Sequence, residues 1–137
     1  MQELRSCLLG FGGRNLVYPL TPDIDMPMLM SRGEWMTGEI VYKRMAMSQC
    51  HSNVAKLWLA KARKLSAIGT GYALTEDGLW RQHSWGCCPD GIIETTTPRL
   101  LYWGVSYRGA NADAFAKRAL GTPTYWAVRL SRWRPFR

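Results

Sequence analysis

The feature that most constrains this chain is a change of hydrophobic period close to Ser66. Before it, Cys50, Val54, Leu57, Trp58, Ala62 and Leu65 recur at helical spacing on one side, while Lys56, Lys61, Arg63 and Lys64 occupy other faces. After it, apolar residues come in short runs separated by Thr75-Glu76-Asp77-Gly78, by Pro89-Asp90-Gly91 and by Pro98. The spacing predicts a helix from Ser48, which can cap it, to Leu65, and strands over 68–74, 79–87, 91–97 and 100–107. A second helix is expected from Asn111 to Leu120 with Gly121 closing it, and a last strand over 124–132. A helix bearing Cys50 and packed on an antiparallel β-meander is an α+β arrangement.

The hairpin around Pro89-Asp90-Gly91 decides which side chains meet. A two-residue turn at Pro89-Asp90 pairs Gly86 with Ile93, and one at Asp90-Gly91 pairs Gly86 with Thr95. Side chains alternate along a strand, so either register sets His83, Trp85, Glu94 and Thr96 on one face. A three-residue loop turns Glu94 away.

At 137 residues the chain is expected to be one domain, 1–137, in three parts. Residues 48–107 form the helix-plus-meander core, and 108–137 a helix and a basic C-terminal strand. Residues 1–47 show no clear pattern, since Pro19, Pro22 and Pro27 break them and Met26, Met28 and Met30 read as packing residues. They are expected to supply a short strand, a wrapping loop or part of a cleft. Neither a secretory signal nor a membrane-length apolar run is present, so a cytoplasmic protein with no membrane partner is expected. Cys7, Cys50, Cys87 and Cys88 lack disulfide-framework spacing. A zinc set of Cys50, His51, Cys87 and Cys88 ranks below reduced thiols, because it contains no CxxC or HxxxH pair.

The chemistry-bearing residues follow this order. Cys50 opens the helix, where the macrodipole favours thiolate. His83 lies on a later strand and Glu94 on the next one, giving a thiol, an imidazole and a carboxylate to orient it. Gln49 and the Cys50 N–H are candidate oxyanion donors. Trp80 and Trp85 are either walls of a substrate cleft or core. His51 points about a third of a turn from Cys50, which makes it the competitor of His83. Glu94 has a plainer alternative as an exposed strand carboxylate paired with Arg81 or Arg99.

The succession helix-Cys50, Gly71-Tyr72-Ala73, His83-Ser84-Trp85 and Gly91-Ile92-Ile93-Glu94-Thr95-Thr96 resembles the transglutaminase-like branch of the papain-like cysteine protease superfamily. The resemblance covers roughly Ser48 to Val105. It implies a papain-like core and acyl transfer, with Cys50 as nucleophile, His83 as base and Glu94 as orienter. The chain departs from the pattern in having Glu94 where Asp or Asn is usual and Thr95 where Pro is usual.

The expected function is therefore cysteine-dependent acyl transfer or amide hydrolysis on a peptide or amide substrate, with no cofactor or metal. A rival reading starts from charge. Seven basic residues against Asp113 give residues 101–137 a local +6 within a chain of net charge +8. With Tyr125, Trp126, Trp133 and Phe136 interleaved, this segment is a candidate for weak nucleic-acid binding by an inactive module. A Trp-rich protein-interaction module is the other alternative. The oligomeric state is open.

Overall fold

Residues 1–21, 23–62 and 65–121 are described by a computed structural model. In chain order their elements are α1 (Gln2–Phe11), β1 (Asn15–Leu16), α2 (Met26–Arg32), β2 (Glu34–Met36), β3 (Glu39–Tyr42) and α3 (Cys50–Leu59). Then come β4 (Ala67–Leu74), β5 (Leu79–Cys88), β6 (Gly91–Glu94), β7 (Leu101–Tyr107) and α4 (Gly109–Leu120). The chain is thus a mixed α+β protein. The expected strand over 124–132 and the arginines beyond it lie outside the described residues. Among the described residues no helix is long and apolar enough to cross a membrane.

These elements form two compact units, and β4, β5 and β7 each contribute to both. The first unit comprises residues 1–37, 70–83 and 98–105. Its strand order is β2-β7-β4-β5, and β1 runs parallel to β5 with Leu16 opposite Trp80. Helix α1 buries Leu4 and Leu8, one turn apart on one face. Phe11 meets Trp35 edge-on at 4.3 Å, Trp35 lies 6.2 Å from Trp80, and Trp80 Nε1 donates to the Gly12 carbonyl at 2.9 Å. Gly71 is required by space: a Cβ there would strike the Trp103 carbonyl oxygen and the Gly104 Cα. Prolines do not empty this half of helix, because Pro27 stands in the first turn of α2, where a missing N–H costs nothing.

The second unit comprises residues 38–69, 84–97 and 106 onward. Here β5 and β6 form an antiparallel hairpin, and β3 runs parallel to β6 with Ile40 opposite Ile92. Helices α3 and α4 pack around Val54, Ile68, Ala112 and Phe115, and around Ala55, Ala116 and Leu120. Full burial of Val54 or Leu57 contributes about 1.5–3 kcal/mol each.

Three expectations need correction. The sheet is mixed, because β3 and β6 are separated by α3 and two strands, long enough a crossover to allow parallel pairing. It is also no simple meander, since β7 lies beside β4, with Leu100 N–H donating to the Leu74 carbonyl at its entry. Helix α3 ends at Leu59 rather than Leu65. Ala62 N–H reaches back to the Leu57 carbonyl and Lys61 N–H to that of Trp58, a Schellman closure with Lys61 at φ 53°. Glycine ordinarily fills that left-handed position, so the stop left no mark in the sequence. Lys61→Gly is expected to raise stability by about 1 kcal/mol, read as a higher urea midpoint at unchanged slope.

Candidate active site

Cys50 is the first residue of α3 and is half-buried. The N-cap is exposed Gln49, which makes no side-chain capping bond, and Ser48 stands outside the helix at φ 58°. The expected cap at Ser48 is therefore displaced by one residue. With its backbone in the left-handed region, Ser48 does not hold the extended conformation that a capping hydroxyl needs.

The helix start is held from further along. Asn53, one turn past Gln49 and 1% exposed, donates through Nδ2 to the Ala46 carbonyl at 2.7 Å and to Thr95 Oγ1 at 3.3 Å. Met45 N–H donates to the Thr95 carbonyl and Lys43 N–H to the Glu94 carbonyl, both at 2.8 Å. His51 Nδ1 is hydrogen-bonded to the buried Ser84 Oγ at 2.5 Å, and its ring meets Phe115 at 6.1 Å. Sequence reasoning missed both anchors. Their signal was present as polar side chains on the inward face of an apolar stripe, where each must find a partner.

Glu94 closes β6 and is fully buried. The Thr96 N–H and hydroxyl both donate to its Oε2, at 3.0 and 3.1 Å. The plainer reading of an exposed carboxylate is overturned by this burial. Arg81, its suggested partner, bridges Asp77 instead at 2.9 Å, and its hydrogen bond is the main reason the Asp77 carboxyl sits well below the usual range. The hairpin has the two-residue turn at Pro89-Asp90, with Gly86 opposite Ile93 and Cys88 opposite Gly91. One further pair in that register sets Trp85 opposite Glu94. Trp85 is fully buried, and Gly69 leaves its indole room, since a Cβ at Gly69 would overlap the ring.

His83 belongs to the first unit, 1% exposed on β5, with its ring 6.3 Å from that of Tyr102. Trp80 is fully buried in the same unit. As with Trp85, this burial is that of a packing residue. Among the described residues no group of three or more His, Cys, Asp or Glu is placed to hold a metal ion. Cys50, His51, Cys87 and Cys88 accordingly form no such set. No protein-family model, curated protein or solved structure matches the chain.

Tyr72, next to Gly71 on β4, is buried and donates its hydroxyl to Asp23 Oδ2 at 3.2 Å. Burial pushes its phenol far above the ordinary value, and the Asp23 charge and hydrogen bond push the same way. The folded state therefore holds this proton where the unfolded chain, with its phenol near pH 10, releases it. That contribution is complete below about pH 10 and is lost as pH rises above it. In an alkaline absorbance titration, one tyrosinate should appear only with unfolding, and Tyr72→Phe should remove it.

Proposed function

We propose that this chain is a cysteine-dependent acyl-transfer enzyme of the transglutaminase-like kind, acting on a peptide or amide carbonyl. The observation that carries the reading is the placement of Cys50 as the first, half-buried residue of a ten-residue helix. A sulfur there lies at the positive end of the helix dipole, which favours thiolate. His83 and Glu94 stand on successive strands of the resemblance, and both are buried, which suits a base and its orienter shielded from water.

In the proposed reaction the Cys50 thiolate attacks the carbonyl carbon. Charge developing on oxygen is met by the Cys50 N–H and the Gln49 side-chain amide. His83 gives a proton to the leaving amine as the C–N bond breaks, and a thioester with Cys50 remains. Water or a second amine, deprotonated by His83, then attacks the thioester and returns the thiol. Glu94 keeps the imidazole in the tautomer and orientation that these transfers need.

The experiment uses p-nitrophenyl acetate as an acylating probe. A burst of one p-nitrophenolate per chain is expected, absent from Cys50→Ala, with Glu94→Gln slowing it on the order of 10²–10⁴-fold. Limiting iodoacetamide followed by peptide mapping should place the first adduct on Cys50. Labelling of Cys7, Cys87 or Cys88 with Cys50 untouched in the folded protein would falsify the nucleophile assignment.

A second reading rests on the +6 segment over 101–137. Charge without a base-reading motif gives weak nucleic-acid binding, with Kd on the order of 10⁻⁴–10⁻⁶ M at physiological salt. Titration of labelled single-stranded DNA should show that weakness and a steep loss of affinity as salt rises. A submicromolar Kd unaffected by Cys50→Ala would make nucleic acid the principal partner.

A further inference from the structure

We propose that Asn53 and Thr95 are positioning residues for Cys50, acting as one clamp that sets where the sulfur lies. This rests on the reading of Cys50 as nucleophile and goes beyond it, since neither residue touches the reacting atoms. The segment leading into α3 passes through a turn at Met47-Ser48 and enters the helix without a side-chain cap. Gln49 makes no side-chain cap, and Ser48 is in the left-handed region. Its ties to the rest of the unit come from β6 and its continuation. Backbone bonds run from Lys43 to Glu94 and from Met45 to Thr95, and the next link is made by a side chain. Asn53 Nδ2 has two protons, and its two acceptors are Ala46 O and Thr95 Oγ1.

Cys50 is thus bracketed, with Ala46 four residues before it and Asn53 three after it tied to the same amide. Thr95 is fully buried and Asn53 nearly so, which makes an unmet donor or acceptor here costly and the geometry correspondingly well defined. The arrangement also gives a reason for threonine at a position where the resembled family usually has proline. Proline would keep the carbonyl that Met45 uses and lose the hydroxyl that Asn53 uses. Glu94 and Thr95 then divide the work: the first orients the base, and the second, through Asn53, places the nucleophile.

The test separates placement from mere thiol reactivity. Acylation by p-nitrophenyl acetate needs sulfur, carbonyl and oxyanion donors in line, whereas alkylation by iodoacetamide needs chiefly an accessible thiolate. Thr95→Val removes the hydroxyl with little change of shape, and Thr95→Ser restores it. In Thr95→Val the burst rate constant should fall about fivefold, the loss of one ordinary hydrogen bond, while the Cys50 alkylation rate stays close to wild type. Thr95→Ser should recover the burst. Asn53→Ala should slow acylation by about ten- to a hundredfold. Wild-type acylation rates in Thr95→Val, or equal losses in the Val and Ser variants, overturn the clamp while leaving Cys50 as nucleophile. A wild-type chain that acylates nowhere overturns the nucleophile and the clamp together. Should Asn53→Ala fail to fold, the Thr95 pair decides alone.

Discussion

The second unit depends on the length of one turn. Because Pro89 and Asp90 are the only residues between β5 and β6, Cys88 faces Gly91 and Gly86 faces Ile93. Side chains alternate with period two, so a single added residue would exchange every inward group for an outward one. Strand β3 is then laid along β6 in parallel register from Glu39 opposite Gly91 to Tyr42 opposite Glu94. Gly91 permits that approach, since a Cβ there would collide with the Glu39 backbone. The ladder continues past the strand ends through Lys43 and Met45 to Glu94 and Thr95, and so reaches the residues that lead into Cys50. The segment before Cys50 is thus tied back, through Lys43 and Met45, to the strand whose register the hairpin turn sets.

Much of this was legible in the sequence, and what escaped did so for physical reasons. Strands β4 to β7 and helix α4 carried apolar runs bounded by Gly, Pro and Asp, signals that act within a few residues. The C-terminal closure of α4 at Gly121, with φ 87°, is of the same local kind. Parallel pairing of β3 with β6 is a long-range choice that no four-residue strand announces, especially one with Glu39, Val41 and Tyr42 exposed. The early end of α3 was hidden because Lys61 bears the left-handed conformation in place of glycine. In the first unit, α1 does carry a helical stripe, Leu4, Cys7, Leu8 and Phe11 at i, i+3, i+4 and i+7, and reading 1–47 as patternless overlooked it. Of the candidate site, the residue types and their order were readable, and the Asn53 clamp was not. Its partners lie 7 and 42 residues away.

Burial of polar groups separates this region from an ordinary core. Asn53, Ser84, Glu94, Thr95 and Thr96, all in the second unit, are at most 4% exposed. Each costs desolvation that an aliphatic side chain would avoid, and a well-packed apolar substitute is often neutral or better for stability. Folding alone therefore gives no reason to gather them on neighbouring segments. A requirement for fixed orientation does, because hydrogen bonds are directional where dispersion contacts are not. The proposed acyl-transfer function would make that demand of its supporting residues.

Glu94 shows how the same logic meets the chain's main departure from the resembled pattern. Compared with aspartate it carries one more methylene, which on an extended side chain would carry the carboxylate further out and add a rotor to be frozen. Here Oε2 is tied to the N–H and the hydroxyl of Thr96, two residues on in the bend that follows β6. The side chain is thus turned toward the bend beyond its strand, and the added length is taken up in that turn. Two donors on one oxygen also hold the carboxylate against the rotation that the extra bond allows. In the proposed role as orienter, Glu94 would need a fixed direction more than a short stem, and the bonds from Thr96 would supply it. Glu94→Asp should on this argument lose more than it gains: the shorter side chain falls short of Thr96, and acylation of p-nitrophenyl acetate should slow by about ten- to a hundredfold, with Thr96→Val producing part of the same loss. An Asp variant as fast as the native chain would mean that the bond to Thr96 has no bearing on the imidazole.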